Sequence, residues 1–385
     1  MLPRERYLPA PDEDRACWCT VSYVDGGLAR KDVLRASGES DEYYDFEERI
    51  SPDNGRTWSE PRVIEGCTLQ LPGGGMVTYP CGWDYEPRLG ILYEKRMRRL
   101  WPGMKLYTFN WGGEHPFCDH TFVMENGSVE KLLKYEEGPD FDPANPFDSA
   151  FCAANRAYLG VGMDFAPDGT AYYPIIGDTS DGEGGTRRGL LLMRRDPSTG
   201  AWLPSQPQFI SPEWSSRGLQ EPDVAALTNG DLLVVCRANN TQTTPDHKWF
   251  TVSSDGGRTL RPVEEFRYDD GSSFYSPSSI HAFVRSSRNG RLYWVANIVE
   301  EPRNGPRYPL YVSEIDEAKV AVRKDSLVMV DDRRQGEPEG LQLSNFSVLE
   351  NRETQDIEIY MTRLGEVPGH FWQGAVYRYT FSPPA

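Results

Sequence analysis

Short apolar runs separated by turn sequences make up most of this chain. Runs such as VSYV, LLLM, DLLVVCR, RLYWVANIV and IEIYMTR are short, and no long stretch repeats apolar residues at the helical period. The sequences DGG, PDG, STG, TNG, SDGG and RNG separate them. Glycine-containing turns between apolar runs of this length are typical of β-hairpins. The pattern therefore predicts an all-β chain of many short strands.

One turn sequence occurs twice with the same spacing. The stretch ISPDNGRTW begins at Ile50, and VSSDGGRTL begins at Val252. Both contain Ser-x-Asp-x-Gly-x-Thr, in which the Asp can accept hydrogen bonds from turn amides and the Gly permits a positive φ. In the first copy, Trp58 can pack beneath the turn. Two copies indicate a repeated structural unit, and we expect Asp53 and Asp255 to hold turns rather than to perform chemistry.

This repeated turn resembles the Asp box, or BNR repeat, of the sialidase superfamily. Weaker copies occur at Asp168-Gly169-Thr170 and at DPSTGAW, which begins at Asp196. The resemblance, which extends to bacterial BNR-repeat proteins, implies a six-bladed β-propeller with four-stranded blades, and seven blades are the alternative. Six blades divide the 385 residues into about 64 per blade. No linker is visible, so we expect residues 1–385 to form one propeller domain.

The overall charge and hydropathy narrow the range of partners. The formal net charge is −17, which argues against nucleic acid, because phosphate binding needs a basic face. The chain has no apolar run of about 18 residues, so we expect no membrane span. The first residues, MLPRERYLPAPDEDR, lack the apolar core of a signal peptide.

Cysteine usage and the known binding motifs also limit the function. The seven cysteines are an odd number and lack metal-type spacing, which predicts reduced thiols and a cytoplasmic location. We find no P-loop and no dinucleotide fingerprint, so no cofactor is expected. His115 and Asp119 would share one face of a helix, but Pro116 prevents that helix. We therefore expect no metal site there.

The sialidase resemblance implies an active site at the centre of the propeller. Such a site holds three arginines that bind the substrate carboxylate, a Tyr–Glu pair that supplies the nucleophile, and an Asp that serves as acid and base. Arginine suits the carboxylate because its planar fork contacts both oxygens. The Asp would lie before the first Asp box, in SDEYYDFEERIS, where Asp45 is preferred over Asp41.

The stretch LQEPDVAALTNGDLLVVCR matches this pattern best. In sialidases an acidic residue starts such a strand pair and an arginine ends it, and Glu221 and Arg237 occupy those positions here. The alternative is a surface Glu and an Arg held in an ion pair. The other carboxylate ligand is expected at Arg307, before YPLYVSEID, with Arg303 as the alternative. No clear counterpart of the first arginine is present, and the candidates are Arg6, Arg30 and Arg35.

The nucleophile position departs from the sialidase pattern. The aligned residue is Phe346, in LSNFSVLENRETQDIEIYMTR, where a sialidase has tyrosine. Phenylalanine has no oxygen and cannot attack an anomeric carbon. Tyr360 lies too far along the strand to replace it. The retaining mechanism of sialidases, which uses a tyrosine nucleophile, is therefore not expected for this chain.

Histidines offer another way to perform chemistry. His120 follows Asp119 in GEHPFCDHTFV, and an Asp–His pair can orient an imidazole as a general base. His281, in YSPSSIHAFVR, is a candidate substrate ligand. Its alternative is a strand residue that is hydrogen-bonded within a blade.

Three functions follow from these residues. The first is a glycoside hydrolase for a small acidic sugar, with Glu221 as catalytic carboxylate or base, Asp45 as acid, and Arg237 and Arg307 as carboxylate ligands. Without the tyrosine, water would attack directly, which implies inversion. The second is a lyase for uronic-acid sugars with His120 as base. The third is a non-catalytic propeller that binds a sugar or a protein. The sequence does not give the oligomeric state.

Overall fold

The protein is all-β and its strands form six antiparallel sheets. The structure, a computed structural model, describes residues 1–39, 43–102, 118–124, 127–131, 142–145, 148, 157–158, 160–180 and 186–385. In these residues the sheets follow one another along the chain as the blades of a propeller. The prediction of six blades is confirmed, and the seven-bladed alternative is wrong.

The first three blades take up the first half of the chain. Blade 1 contains β2 (Ala16–Tyr23), β3 (Arg30–Ser37), β4 (Tyr44–Ser51) and β5 (Arg62–Val63). Blade 2 contains β6 (Thr68–Leu71), β7 (Gly74–Glu86), β8 (Ile91–Pro102), β9 (Cys118–Met124) and β10 (Val129–Lys131). Blade 3 contains β11 (Ala157–Tyr158), β12 (Asp164–Phe165), β13 (Ala171–Ser180), β14 (Thr186–Arg195) and β15 (Trp202–Pro204).

The remaining blades complete the ring. Blade 4 contains β16 (Gln220–Ala226), β17 (Leu232–Arg237), β18 (Lys248–Ser253) and β19 (Glu264–Glu265). Blade 5 contains β20 (His281–Arg285), β21 (Leu292–Asn297), β22 (Leu310–Asp316), β23 (Ala321–Val322), a short 3-10 helix (Lys324–Ser326) and β24 (Val328–Asp331). Blade 6 contains β25 (Gln342–Glu350), β26 (Ile357–Leu364) and β27 (Val376–Phe381), and its fourth strand is β1 (Arg4–Leu8).

The core lies between neighbouring blades, and this explains the apolar runs in the sequence. Every residue of β17, β21 and β26 is buried. A strand that is covered on both faces reads as a continuous apolar run rather than as an alternating one. LLVVCR, LYWVAN and IEIYMTRL are such runs, and their strands are each the second of their blade.

The two repeated turns form the hydrogen bonds that the sequence predicts. Asp53 Oδ1 accepts the amide of Thr57 at 2.9 Å, and Oδ2 accepts its hydroxyl at 2.7 Å. These bonds hold the pKa of Asp53 at about 2. Gly55 has a φ of 83° and donates its amide to the hydroxyl of Ser51. Asp255 accepts the same hydrogen bonds from Ser253 and Thr259. Both turns join the third strand of their blade to the fourth.

Two further observations bear on the setting of the protein. No helix in the part of the chain that the structure describes is long and apolar enough to cross a bilayer. Five cysteines with described side chains are free thiols, namely Cys17, Cys19, Cys67, Cys81 and Cys236. The cytoplasmic location stays a prediction.

Candidate functional site

The candidate residues gather on one face of the ring. In blades 1, 4, 5 and 6 the first strand begins, and the second strand ends, on the face that we call the upper face. Glu221 lies near the start of β16, and Arg237 is the last residue of β17. The repeated turns join third to fourth strands and therefore lie on the opposite face.

Glu221 and Arg237 form an ion pair at the upper end of blade 4. Nη1 of Arg237 donates to Oε2 of Glu221 at 2.7 Å, and both side chains are largely buried. The pairing of β16 with β17 is interrupted between Gln220 and Asp223, and Glu221 has a φ of 41° within this irregularity. Such backbone irregularities redirect a side chain and are common at binding sites. The strain at Glu221 therefore sets the direction of its carboxylate.

Arg307 approaches the same region from blade 5. It lies in the loop between β21 and β22, and its Nη1 donates to the hydroxyl of Ser344 at 3.3 Å. The side-chain amide of Asn297 donates to the backbone carbonyl oxygens of Arg307 and Pro309, at 3.2 Å and 3.1 Å. The loop is thus fixed by a fully buried asparagine, which positions Arg307 against the start of β25.

Lys248 is a member of this group that sequence reasoning missed. It opens β18, pairs with Arg237 across the sheet and is fully buried. Its Nζ donates to the carbonyl oxygens of Ser279 at 2.5 Å and Pro277 at 3.3 Å. Burial and the neighbouring charge of Arg237 lower the pKa of Lys248 to about 7. The sequence gives no sign of this burial, because a lysine at the start of an apolar strand is usually solvated.

The charges of this group favour an anionic ligand. Burial alone would raise the pKa of Glu221, but the positive charges of Arg237, Arg307 and Lys248 outweigh burial and hold that pKa below its usual range. Glu221 is therefore ionised at neutral pH. Three basic side chains act on Glu221, and Asp246 is a second carboxylate that acts on Lys248, so the group is positive when Lys248 is protonated. A ligand carboxylate would balance this charge, and arginine forks bind carboxylates well.

Asp45 lies on the upper face but belongs to blade 1, near the start of β4. Its side chain is 62% exposed, and its Oδ2 accepts a hydrogen bond of 2.7 Å from Nη1 of Arg15. Sequence reasoning did not consider Arg15. Within the described part of the chain, no hydrogen bond or ion pair joins Asp45 to Glu221. The proposed acid role of Asp45 stays a prediction, and Asp41 lies outside the described residues.

The two histidine candidates have different outcomes. His120 lies in β9, where its backbone pairs with Met97 of β8, but its side chain and the whole of His115 lie outside the described residues. His281 is fully buried, and its Nε2 is 3.1 Å from the carbonyl oxygen of Val235 in blade 4. Burial and the charge of Lys248 keep the pKa of His281 well below its usual value. This geometry suits the strand-residue alternative, and a ligand role for His281 stays a prediction.

Phe346 belongs to the core rather than to the upper surface. It lies in β25, is buried, and packs in the apolar cluster that contains Val295 of blade 5 and Ile359 of blade 6. Position 346 therefore supplies no nucleophile.

Two arginines that the sequence offered as carboxylate ligands lie elsewhere. Arg6 is exposed on β1, where it pairs with Tyr377 on the outer edge of blade 6. Arg30 is fully buried and pairs with Glu358 at 2.8 Å, and the hydroxyl of Tyr360 donates to the same carboxylate at 2.7 Å. Since Arg30 opens β3, this trio lies toward the face opposite the candidate site. It joins blade 1 to blade 6.

Comparisons with known proteins support the fold. No protein-family model and no curated protein matches the sequence. A protein of unknown function from Dyadobacter fermentans has a TM-score of 0.63 and 16% identity, with 98% of each chain covered. The NanB sialidase of Streptococcus pneumoniae has a TM-score of 0.61 and 12% identity, with coverage of 99% of this chain and 70% of that one.

A third structure belongs to the same group of propellers. The intramolecular trans-sialidase of Ruminococcus gnavus has a TM-score of 0.57 and 10% identity, with coverage of 98% of this chain and 97% of that chain. At such low identity the likeness shows the fold alone. The chain is therefore a six-bladed β-propeller of the architecture that sialidases and trans-sialidases share.

Proposed function

We propose that the protein is a glycoside hydrolase that acts on a small sugar carrying a carboxylate, and that its two repeated turns are Asp boxes. The observation that carries the proposal is the group of Arg237, Arg307 and Lys248 around Glu221. A buried group with more positive than negative charge favours an anionic ligand, because burial weakens solvent screening.

The roles follow from the charges and positions. Arg237 and Arg307 bind the sugar carboxylate, because guanidinium groups form strong charge-assisted hydrogen bonds to carboxylates. Glu221 is the catalytic carboxylate, because it is ionised at neutral pH and lies beside Arg237 at the upper end of blade 4. As the general base it accepts a proton from water. Asp45 is the acid. With Phe346 in the core, water attacks the anomeric carbon directly and the configuration inverts.

Turnover of three fluorogenic glycosides tests the proposal. The 4-methylumbelliferyl glycosides of N-acetylneuraminic acid and glucuronic acid carry a carboxylate, and that of galactose does not. We expect turnover of at least one acidic glycoside, none of the galactoside, and an inverted product in proton NMR. Equal turnover of the neutral glycoside would overturn the acidic-substrate assignment. An unsaturated, ultraviolet-absorbing product would instead indicate the lyase.

A product of retained configuration would reject direct attack by water. Failure of all three glycosides to react, together with unchanged affinity for the free acids in Glu221→Gln, would leave a non-catalytic sugar-binding propeller.

A further inference from the structure

Lys248 is a buried amine without a carboxylate partner at bonding distance. Both of its hydrogen bonds go to neutral backbone carbonyl groups, those of Pro277 and Ser279. Among the described residues, no carboxylate oxygen lies within ion-pair distance of its Nζ. Burying a charged ammonium group without an anion is costly. The presence of a lysine at this position therefore points to a role other than stabilising the fold.

The two carbonyl groups flank Ser278, and Ser278 contacts Arg237. Nε of Arg237 donates to the Ser278 hydroxyl at 2.5 Å, while Nη1 of the same guanidinium donates to Glu221. The amine of Lys248 thus ties down the segment on either side of the serine that orients Arg237. A chain of contacts runs from Lys248 through Ser278 and Arg237 to Glu221.

Ionisable groups surround the amine on every element packed against it. Each of these groups interacts electrostatically with Lys248, so that one of the two shifts the pKa of the other. The groups are Glu221 of β16, Cys236 and Arg237 of β17, Asp246 of the loop before β18, His281 of β20 and Arg307 of the loop after β21. Arg237 and Arg307 oppose protonation of Lys248, whereas Glu221 and Asp246 favour it. An added anion would shift this balance toward the protonated amine.

We propose that Lys248 is a positioning residue that orients Arg237 for the substrate carboxylate and takes up a proton when that carboxylate binds. This inference depends on the proposed function, because it needs an anionic ligand at Arg237. The ligand carboxylate lies against the arginines and stabilises the ammonium form, so binding an anion and binding a proton reinforce each other. The reciprocal effect makes the affinity for the acid fall as the pH rises above neutrality.

Calorimetric binding of N-acetylneuraminic acid and glucuronic acid from pH 6 to 9 tests the inference. Titrations in phosphate and in Tris separate proton uptake from the binding heat. For the wild type we expect net proton uptake above pH 7 and an affinity that falls by at most about tenfold per pH unit. Lys248→Arg, which stays charged, should bind with no such uptake and a nearly flat profile. Lys324→Met is the control, because it removes an exposed lysine paired with Asp270.

The outcomes separate the two proposals. If neither acid binds the wild type, the proposed function fails and the inference fails with it. If an acid binds but the wild type and Lys248→Arg have the same pH profile and proton uptake, only the inference fails. Lys248→Met replaces the arginine variant if that variant does not fold. A crystal structure of Lys248→Met in which Arg237 keeps both the Ser278 and Glu221 contacts would also overturn the positioning role.

Discussion

Nε of Arg237 donates a hydrogen bond of 2.5 Å to the hydroxyl of Ser278, and this bond joins two neighbouring blades. Arg237 ends β17 in blade 4, whereas Ser278 precedes β20 in blade 5 and is buried. A second nitrogen of the same guanidinium is held by Glu221. The orientation of Arg237 is thus fixed before a ligand arrives, which lowers the entropic cost of binding.

Replacement of Arg237 by lysine tests the need for a fork. Lysine keeps the charge but loses the planar donors that hold Ser278 and Glu221 together. We expect kcat/KM for the acidic glycoside to fall about 10- to 100-fold, equivalent to about 1.5–3 kcal/mol for bonds to a charged group. Steady-state kinetics measure this change. Ser278→Ala is the milder comparison, and equal activity of Arg237→Lys and wild type would contradict the assignment.

Glu221→Gln separates catalysis from binding. The variant keeps the shape of the side chain and removes its negative charge, so the affinity for the free acid should stay equal or increase. Turnover should fall about 10²- to 10⁴-fold, because the base is lost. Stopped assays of turnover and calorimetry of the free acid give the two values. A variant that keeps full turnover would exclude Glu221 as the catalytic carboxylate.

The buried amine predicts a pH dependence of stability. The pKa of Lys248 is about 7 in the folded protein and 10.5 is its ordinary value, so between these values the unfolded chain binds a proton that the folded protein does not. The contribution of Lys248 to the free energy of unfolding therefore rises with pH across this window, by at most about 1.4 kcal/mol per unit.

Urea unfolding of the wild type and Lys248→Met at pH 7, 8 and 9 measures this effect. The wild type should gain stability relative to the variant as the pH rises. A constant difference between the two proteins would show that Lys248 titrates outside this range. Lys324→Met is again the matched control, and its difference from the wild type should not vary in this way.

Phe346→Tyr tests whether position 346 faces the substrate. Because Phe346 packs in the cluster between blades 5 and 6, a hydroxyl there would be buried without an evident partner. We expect a loss of about 1–3 kcal/mol in the free energy of unfolding and no gain in turnover. Urea unfolding and the fluorogenic assay check both results. A gain of turnover with retention of configuration would instead place this side chain at the anomeric carbon.

The fold was predictable because its signals are local. Each repeated turn places its Ser, Asp, Gly and Thr within a few residues, as at Asp53 and Asp255, so the sequence alone specifies the hydrogen bonds. The proximity of Glu221 and Arg237 could be predicted for a similar reason, because both residues lie on one hairpin.

The rest of the site depends on contacts between blades. Nothing in the sequence around Lys248 distinguishes it from a surface lysine, because its burial comes from the segment at Ser278 in the next blade. His281 and Arg30 differ from Lys248 in the opposite sense, because the sequence suggested a ligand role that their burial does not favour. Each has the residue type of a ligand, and each is fully buried in contacts with a neighbouring blade.

The closure of blade 6 has a consequence for assembly of the chain. β1 pairs with β27, with Arg4 opposite Tyr379, so one sheet combines the two ends of the ring sequence. During synthesis, β27 emerges long after β1, and the ring cannot close until it does. Until then, the edge of β1 that β27 later covers is unpaired and can pair with other chains. Cleavage within the segment that links β1 to blade 1 would leave β1 held by its contacts within the fold alone, and its loss would expose the edge of β27 to pairing with another chain.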